Sequence, residues 1–198
     1  MNLPIFPLNG AVLFPGTSLP LNIFEERYIE MVNYALANNR MIGMIQTKED
    51  ERFHKIGCVG KISSFSETVD GRYLISLQGN NRFQINKEIE TNTLFRMVDA
   101  KIIENEDENE DVFNEQKKID LLRKYKKYIV VKNLNLDLNE IEKVEFNQII
   151  KFLAMISPFK NIEKQALLET DNINDFYNKL SSIIELETLG SFENKTIN

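Results

Sequence analysis

Residues 19–32 read LPLNIFEERYIEMV, and the hydrophobic period changes in the middle of the stretch. Leu19, Leu21 and Ile23 alternate with Pro20, Asn22 and Phe24, which is the two-residue period of a half-buried strand. From Glu25 onward Tyr28, Met31, Val32 and Ala35 recur at helical spacing instead. A strand is therefore expected to run into a helix with almost no loop. The acids at the junction suit the positive end of the helix dipole. The helix is expected to stop near Asn38-Asn39, residue types that tolerate the left-handed conformation common after a helix.

Outward from this junction, residues 3 to about 103 carry short strand signals roughly ten residues apart, as in a small barrel or sandwich. MIGMIQ (41–46) reads as a buried strand in which Gly43 marks a bulge or a close backbone approach. Asp70-Gly71 is a two-residue turn signal of a hairpin, GNN (79–81) reads as a second turn leading into RFQI, and LFRMVDAKII closes the strand series. ENEDENED (104–111) then packs six acids into eight residues, a composition expected to stay solvated and mobile as a linker. Beyond it the period is helical. The expected stripes are Ile119, Leu122, Tyr125 or Lys126, and Ile129; then Phe146, Ile149, Ile150, Leu153 and Ile156; then Ile173, Phe176, Tyr177, Leu180, Ile183 and Ile184, with a shorter helical piece, IEKQALLE, between the last two. The expected organisation is a β-rich part over 1–103, a linker over 104–111, a helical part over 112–190 and a polar tail over 191–198.

Composition narrows the function. The 198 residues carry 24 Lys plus Arg against 30 Asp plus Glu, and without the acidic octet the balance is 24 against 24. No overall basic field points to nucleic acid. Cys58 and His54 each stand alone, so an internal disulfide and the usual transition-metal ligand sets are not expected, and a reducing, cytoplasmic location is the simpler expectation. The longest apolar runs are about five residues, short of the ~20 that span a bilayer. GCVGKIS lacks the spacing of a phosphate-binding loop, and no nucleophile has a recognisable base or oxyanion hole, so neither cofactor nor catalysis is expected.

VLFPG (12–16), LPLNIFEERYIEMV (19–32), IGCVGKI (56–62), DGRYLISLQGNNRFQI (70–85) and EKQALLE (163–169) occur in an order and spacing that resemble the Lon N-terminal domain, the substrate-binding portion of an ATP-dependent protease. The motif residues are Leu19, Leu21, Phe24, Glu25, Arg27 and Tyr28, with Gly60, Arg82 and Phe83 in the later blocks. The resemblance implies an α+β fold: a PUA-like small β-barrel with one inserted helix plugging an open end, then a C-terminal α-helical bundle. In such a barrel Leu19, Leu21 and Ile23 enter the core, and Glu26 and Arg27 hold the corner through backbone groups that a missing loop leaves unpaired. It implies a non-catalytic module that engages unfolded or flexible polypeptide, with a protease or chaperone ATPase as a further partner. The ATPase and Ser-Lys protease modules of full-length Lon lie outside the resemblance.

Two aromatics are candidate peptide contacts. Phe24 falls opposite the core positions of its strand, and Phe14 precedes the turn signal Pro15-Gly16; the competing expectation is that both pack beneath a helix. A second reading rests on the helix over 115–132, where Lys117, Lys118, Arg123, Lys124, Lys126, Lys127 and Lys132 interleave with Tyr125 and Tyr128 as in an RNA-binding stripe. Balance by the nearby acidic octet is the simpler expectation for those charges. A hydrolase is a third and weaker reading.

Overall fold

The change of period at residues 23–25 is a change of element. The computed structural model describes residues 1–104, 113–138, 141 and 144–196, with backbone alone at 113, 114 and 191–196. Strands β1 (Asn2–Pro7) and β2 (Ser18–Ile23) precede helix α1 (Glu26–Ala37). Strands β3 (Met41–Ile45), β4 (Ile56–Glu67), β5 (Tyr73–Ile89) and β6 (Arg96–Ile103) follow, then helices α2 (Phe113–Val131), α3 (Phe146–Ile156), α4 (Asn161–Leu168) and α5 (Ile173–Thr196). The chain forms two compact units: Met1 through β6 together with Ser157–Glu169, and a second unit that holds α2, α3 and α5.

The six strands make one mixed sheet in the order β2-β5-β4-β3-β1-β6, with β1 and β3 parallel and the other pairs antiparallel. β5 also pairs with β6, so hydrogen-bonded neighbours return on themselves through β5, β4, β3, β1 and β6. That circuit encloses Leu3, Ile5, Ile45, Val59, Phe83, Val98 and Ala100. Burying a ring such as Phe83 contributes about 1.5–3 kcal/mol. Gly43 makes the close approach expected of it: a Cβ there would stand 2.7 Å from Leu3 Cδ2 and 2.9 Å from Phe83 Cζ. α1 lays Tyr28, Met31, Val32 and Ala35 inward, the face that the helical period predicts.

Four local expectations are corrected. GNN is not a turn; β5 runs through it unbroken, and Gly79 serves a close approach, since a Cβ there would lie 2.2 Å from the Phe14 carbonyl oxygen. The Asp70-Gly71 hairpin is real but longer than two residues: Thr68 and Arg72 pair across it, and Gly71 takes the left-handed conformation at φ 80°. The left-handed residue after α1 is Arg40 (φ 62°), not Asn38 or Asn39; the Asn38 side chain donates to the Tyr34 carbonyl and the Asn39 side chain accepts from the Met41 N–H. Leu19 and Leu21 are half-buried, and Ile23 alone of that trio is fully enclosed.

Ser157–Glu169 was expected to belong with the other helices and instead packs on the sheet. Gln165 donates to the Ile56 carbonyl at 3.0 Å and to Glu169 at 2.7 Å, and Arg82 reaches the Leu168 carbonyl at 3.4 Å. Leu167 and Leu168 are buried beneath the helix. The amphipathic pattern of an eight-residue helix says that it has an apolar side and not which surface receives it.

In the second unit α2 buries Leu121, Leu122, Tyr125 and Tyr128; Ile119, expected in the stripe, is exposed. α3 buries Phe146, Ile149, Ile150, Leu153 and Ala154, with Ile156 exposed at its end, and α5 buries Phe176, Leu180, Ile183 and Ile184. α5 continues to Thr196, through most of the expected polar tail. The expected linker lies outside the described residues apart from Glu104.

Candidate functional site

Among the described residues β2 has β5 as its one neighbour, so its other side is a free edge. Its pairing register decides what that edge presents. Pro20 stands opposite Ser76 and has no N–H, so this cannot be a hydrogen-bonded pair. The bonded pairs are then Leu19 with Leu77, Leu21 with Ile75, and Ile23 with Tyr73. By alternation, the N–H groups of Ser18 and Asn22 and the carbonyls of Ser18, Pro20 and Asn22 point away from β5, and all three residues are solvent-exposed. Proline is tolerated here because an edge strand needs a ladder on one side only.

β2, the first half of β5 and the second half of β4 form a three-stranded arm with two unlike faces. Leu19, Leu21 and Ile23 share one with Ile75, Leu77 and Phe65, following the cross-strand register. Phe65 is 42% exposed on that face and meets Tyr73 edge-on with ring centroids 4.9 Å apart. The other face carries Ser18, Asn22, Ser64, Ser66 and Ser76, where Ser18 Oγ and Ser76 Oγ lie 2.8 Å apart. Leu74 is exposed among them. Phe24, just past the strand, is 65% exposed.

Phe14 is not a surface residue; its side chain is 1% exposed. Pro15-Gly16 does form a turn, and that turn is pinned inward. The Thr17 hydroxyl donates to the Phe14 carbonyl at 2.8 Å and accepts from the Phe14 N–H at 3.2 Å. Gly16 N–H donates to the Gly79 carbonyl and Gly79 N–H to the Thr17 carbonyl, so the segment docks on β5 where Gly79 leaves room. The β2–α1 corner also differs from expectation: Arg27 pairs with the Glu25 carboxylate at 2.7 Å rather than with backbone, and its guanidinium lies 4.5 Å from the Tyr28 ring centroid. Burial raises the Tyr28 hydroxyl pKa despite that nearby charge. Gly60 is a packing residue, since a Cβ there would meet Leu13 at 2.8 Å.

Residues 2–185 match the family described as the ATP-dependent protease La (LON) substrate-binding domain. The chain belongs to that family. The Lon protease of Flavobacterium johnsoniae is 28% identical over 190 residues, which is 88% of this chain and 23% of that protein. The Lon protease of Dictyoglomus thermophilum is 27% identical over 203 residues, 94% of this chain and 25% of that protein. The chain thus spans about a quarter of the length of the curated relatives it matches. Two solved structures share the fold: a Lon N-terminal domain protein from Xanthomonas campestris (TM-score 0.68, 19% identity, 93% of this chain and 98% of that one) and the N-terminal domain of Mycobacterium avium complex Lon protease (TM-score 0.69, 18% identity, 93% and 98%).

Within this Lon-family chain the first block of motif residues lies at the candidate edge, while Phe83 sits in the core and Arg82 under α4. LPL is the edge strand itself, and FEER forms the corner beyond it. Sequence reasoning missed the seat of α4, built by Gln165, Arg82 and the buried Lys164, whose ammonium lies 3.5 Å from the Gly10 carbonyl and whose pKa is lowered by burial. The EKQALLE block contained that signal, a Lys and a Gln among apolar residues of a short helix.

The basic helix has a different character from the one its sequence suggested. Tyr125 and Tyr128 are fully enclosed and offer no ring to stack on a base. Lys124 pairs with Asp120 at 2.7 Å and Glu185 at 3.0 Å, Arg123 with Asp120, and Lys132 with Glu187, so carboxylates of α2 and α5 balance these cations. The Lys124 hydrogen bond, with those from Arg123 and the Tyr177 hydroxyl, lowers the Asp120 pKa to about 2. Among the described residues no helix is long and apolar enough to cross a membrane.

Proposed function

We propose that this chain is a non-catalytic polypeptide-binding module that takes up an unfolded or flexible segment on the β2 edge. The observation that carries the reading is the free edge of β2, with unpaired strand groups on Ser18, Pro20 and Asn22, flanked by two exposed rings, Phe24 just past the strand and Phe65 on the apolar face of the same arm. Main-chain bonds to an edge supply affinity for any extended segment, and neighbouring apolar side chains take up the segment's own. Membership of a substrate-binding family supports the same direction. The sheet is read as the small PUA-like barrel of the resemblance, and the β5–β6 pairing supports that reading. A protease or chaperone ATPase is proposed as the recipient of the client, in the cytoplasm.

Ordering a flexible chain costs about 2–5 kcal/mol, so the dissociation constant should be on the order of 10 μM or weaker. The test is anisotropy of a labelled, permanently unfolded polypeptide titrated with the protein and with Phe24→Ser. About fivefold weaker binding by the variant, with its cooperative unfolding intact, is expected. Unchanged binding by Phe24→Ser and by Phe65→Ser would place the site elsewhere. The RNA reading has lost its aromatic component with the burial of Tyr125 and Tyr128.

A further inference from the structure

The two faces of the β2–β5–β4 arm also specify the pattern of the segment it can receive. Resting on the reading of β2 as a client edge, we infer that this edge selects segments with apolar residues at every second position, and with a basic rather than an acidic residue where the segment passes Phe24. A strand added to Ser18–Ile23 continues the pleat, so its successive side chains fall alternately on the apolar and the serine-rich face. On the apolar side they stand beside Leu19 and Leu21, which are half-buried because β2 has nothing on its outer side. On the other they stand beside Ser18, Pro20 and Asn22, all in water. A slip of one residue would put every client side chain on the wrong face, so a continuous apolar run or a helical pattern satisfies one face and offends the other.

Charge acts at one end. Beyond Ile23 the chain presents Glu25 and Glu26 against Arg27, all exposed, and Arg27 is occupied with Glu25. Arg72, which the β2–β5 register carried one step further sets against Phe24, is likewise occupied, with Asp70 at 2.9 Å. A lysine or arginine on the client meets a net acidic corner there, and a glutamate is repelled.

A second copy of the chain is a poor occupant. Antiparallel pairing of two β2 edges that opposes the outward residues Ser18, Pro20 and Asn22 of one copy to Asn22, Pro20 and Ser18 of the other sets Pro20 against Pro20, where both N–H groups needed for the pair are missing. The same proline costs a foreign strand one bond only.

The test uses three labelled peptides of identical composition, arranged in alternating, blocked and helical order, titrated into the full chain by anisotropy. The alternating peptide should bind about fivefold more tightly than either isomer, the size expected from two cross-strand pairs. Leu21→Thr, which keeps strand propensity, should abolish that preference, while Leu74→Ser on the opposite face should leave it intact. Replacing the terminal lysine of the alternating peptide by glutamate should weaken binding at low salt and matter less at high salt. Equal binding of the three isomers, or a preference untouched by Leu21→Thr, overturns the selection while leaving a polypeptide site in place. Failure of all three peptides, together with undiminished capture of unfolded polypeptide by Phe24→Ser, overturns the edge itself.

Discussion

Phe14 and Phe24 lie ten residues apart, flank the same strand and should respond to the same substitution in opposite ways. Phe14 is 1% exposed, so Phe14→Ser removes a core ring and leaves a hydroxyl where the ring was. Emptying a core aromatic site costs about 3–5 kcal/mol. Phe24 is 65% exposed, so roughly a third of its side chain leaves water on folding; a third of the ~3 kcal/mol for full burial is about 1 kcal/mol at most. Urea unfolding at one temperature separates the two. Phe14→Ser should lose at least ~3 kcal/mol, and Phe24→Ser no more than about 1, with the slope against urea unchanged. In client binding the order reverses once each variant is assayed well below its own unfolding midpoint: Phe24→Ser is weak, and Phe14→Ser binds like the parent protein. If Phe24→Ser lost as much stability as Phe14→Ser, its ring would be packed in solution and the surface argument would collapse.

Gly79→Ala should destabilise by several kcal/mol, because its Cβ would overlap the Phe14 carbonyl 2.2 Å away and expel the segment that Thr17 and Gly16 pin to β5; a stable Gly79→Ala chain in urea would show that this docking is loose. Gln165→Ala should cost about 1 kcal/mol by taking this donor from the partly buried Ile56 carbonyl, and Gln165→Glu should cost no less, since a carboxylate cannot donate to it; a variant as stable as the parent in urea would show that the bond contributes nothing. Asp120 is held at about 2, below its unfolded value near 4, so its contribution is complete above pH ~4 and lost as the pH falls through 2. Asp120→Asn should therefore be less stable than the parent at pH 6 and converge with it near pH 2; parallel stability–pH curves would rule out the ion pairs as the cause.

The parts of the fold written in local periodicity were legible. The change from period two to period 3.6 at Glu25 placed β2 and α1, and the inward face of α1 follows from Tyr28, Met31, Val32 and Ala35. Gly43 was readable as a close approach because it interrupts a buried strand. What failed depends on partners distant in the chain. GNN has the composition of a turn, yet Gly79 is required by the Phe14 carbonyl, about sixty residues earlier. Pro15-Gly16 suggested an exposed Phe14, because nothing local reveals that Gly79 receives the turn. Tyr125 and Tyr128 alternate with lysines in a way that fits a binding stripe or a buried face equally, and α5 decides between them. For the site, Phe24 was placed from strand alternation alone, whereas Leu74 needed the register of β2 on β5, and Phe65 that of β4 on β5, to be assigned to the two faces of the arm.

The seat of α4 has a consequence for how the chain is made. The sheet unit is discontinuous: its last piece, Ser157–Glu169, is separated from β6 by α2 and α3. On a ribosome the six strands emerge well before α4, so the Ile56 carbonyl and the apolar ground for Leu167 and Leu168 must wait, uncovered, while about fifty further residues are synthesised. A fragment cut after β6 would carry all six described strands and still be an unfinished protein, with a sticky face in place of a helix. Supplying Ser157–Glu169 as a separate peptide, or grafting it behind β6 on a short linker, is the rational way to obtain the sheet unit alone.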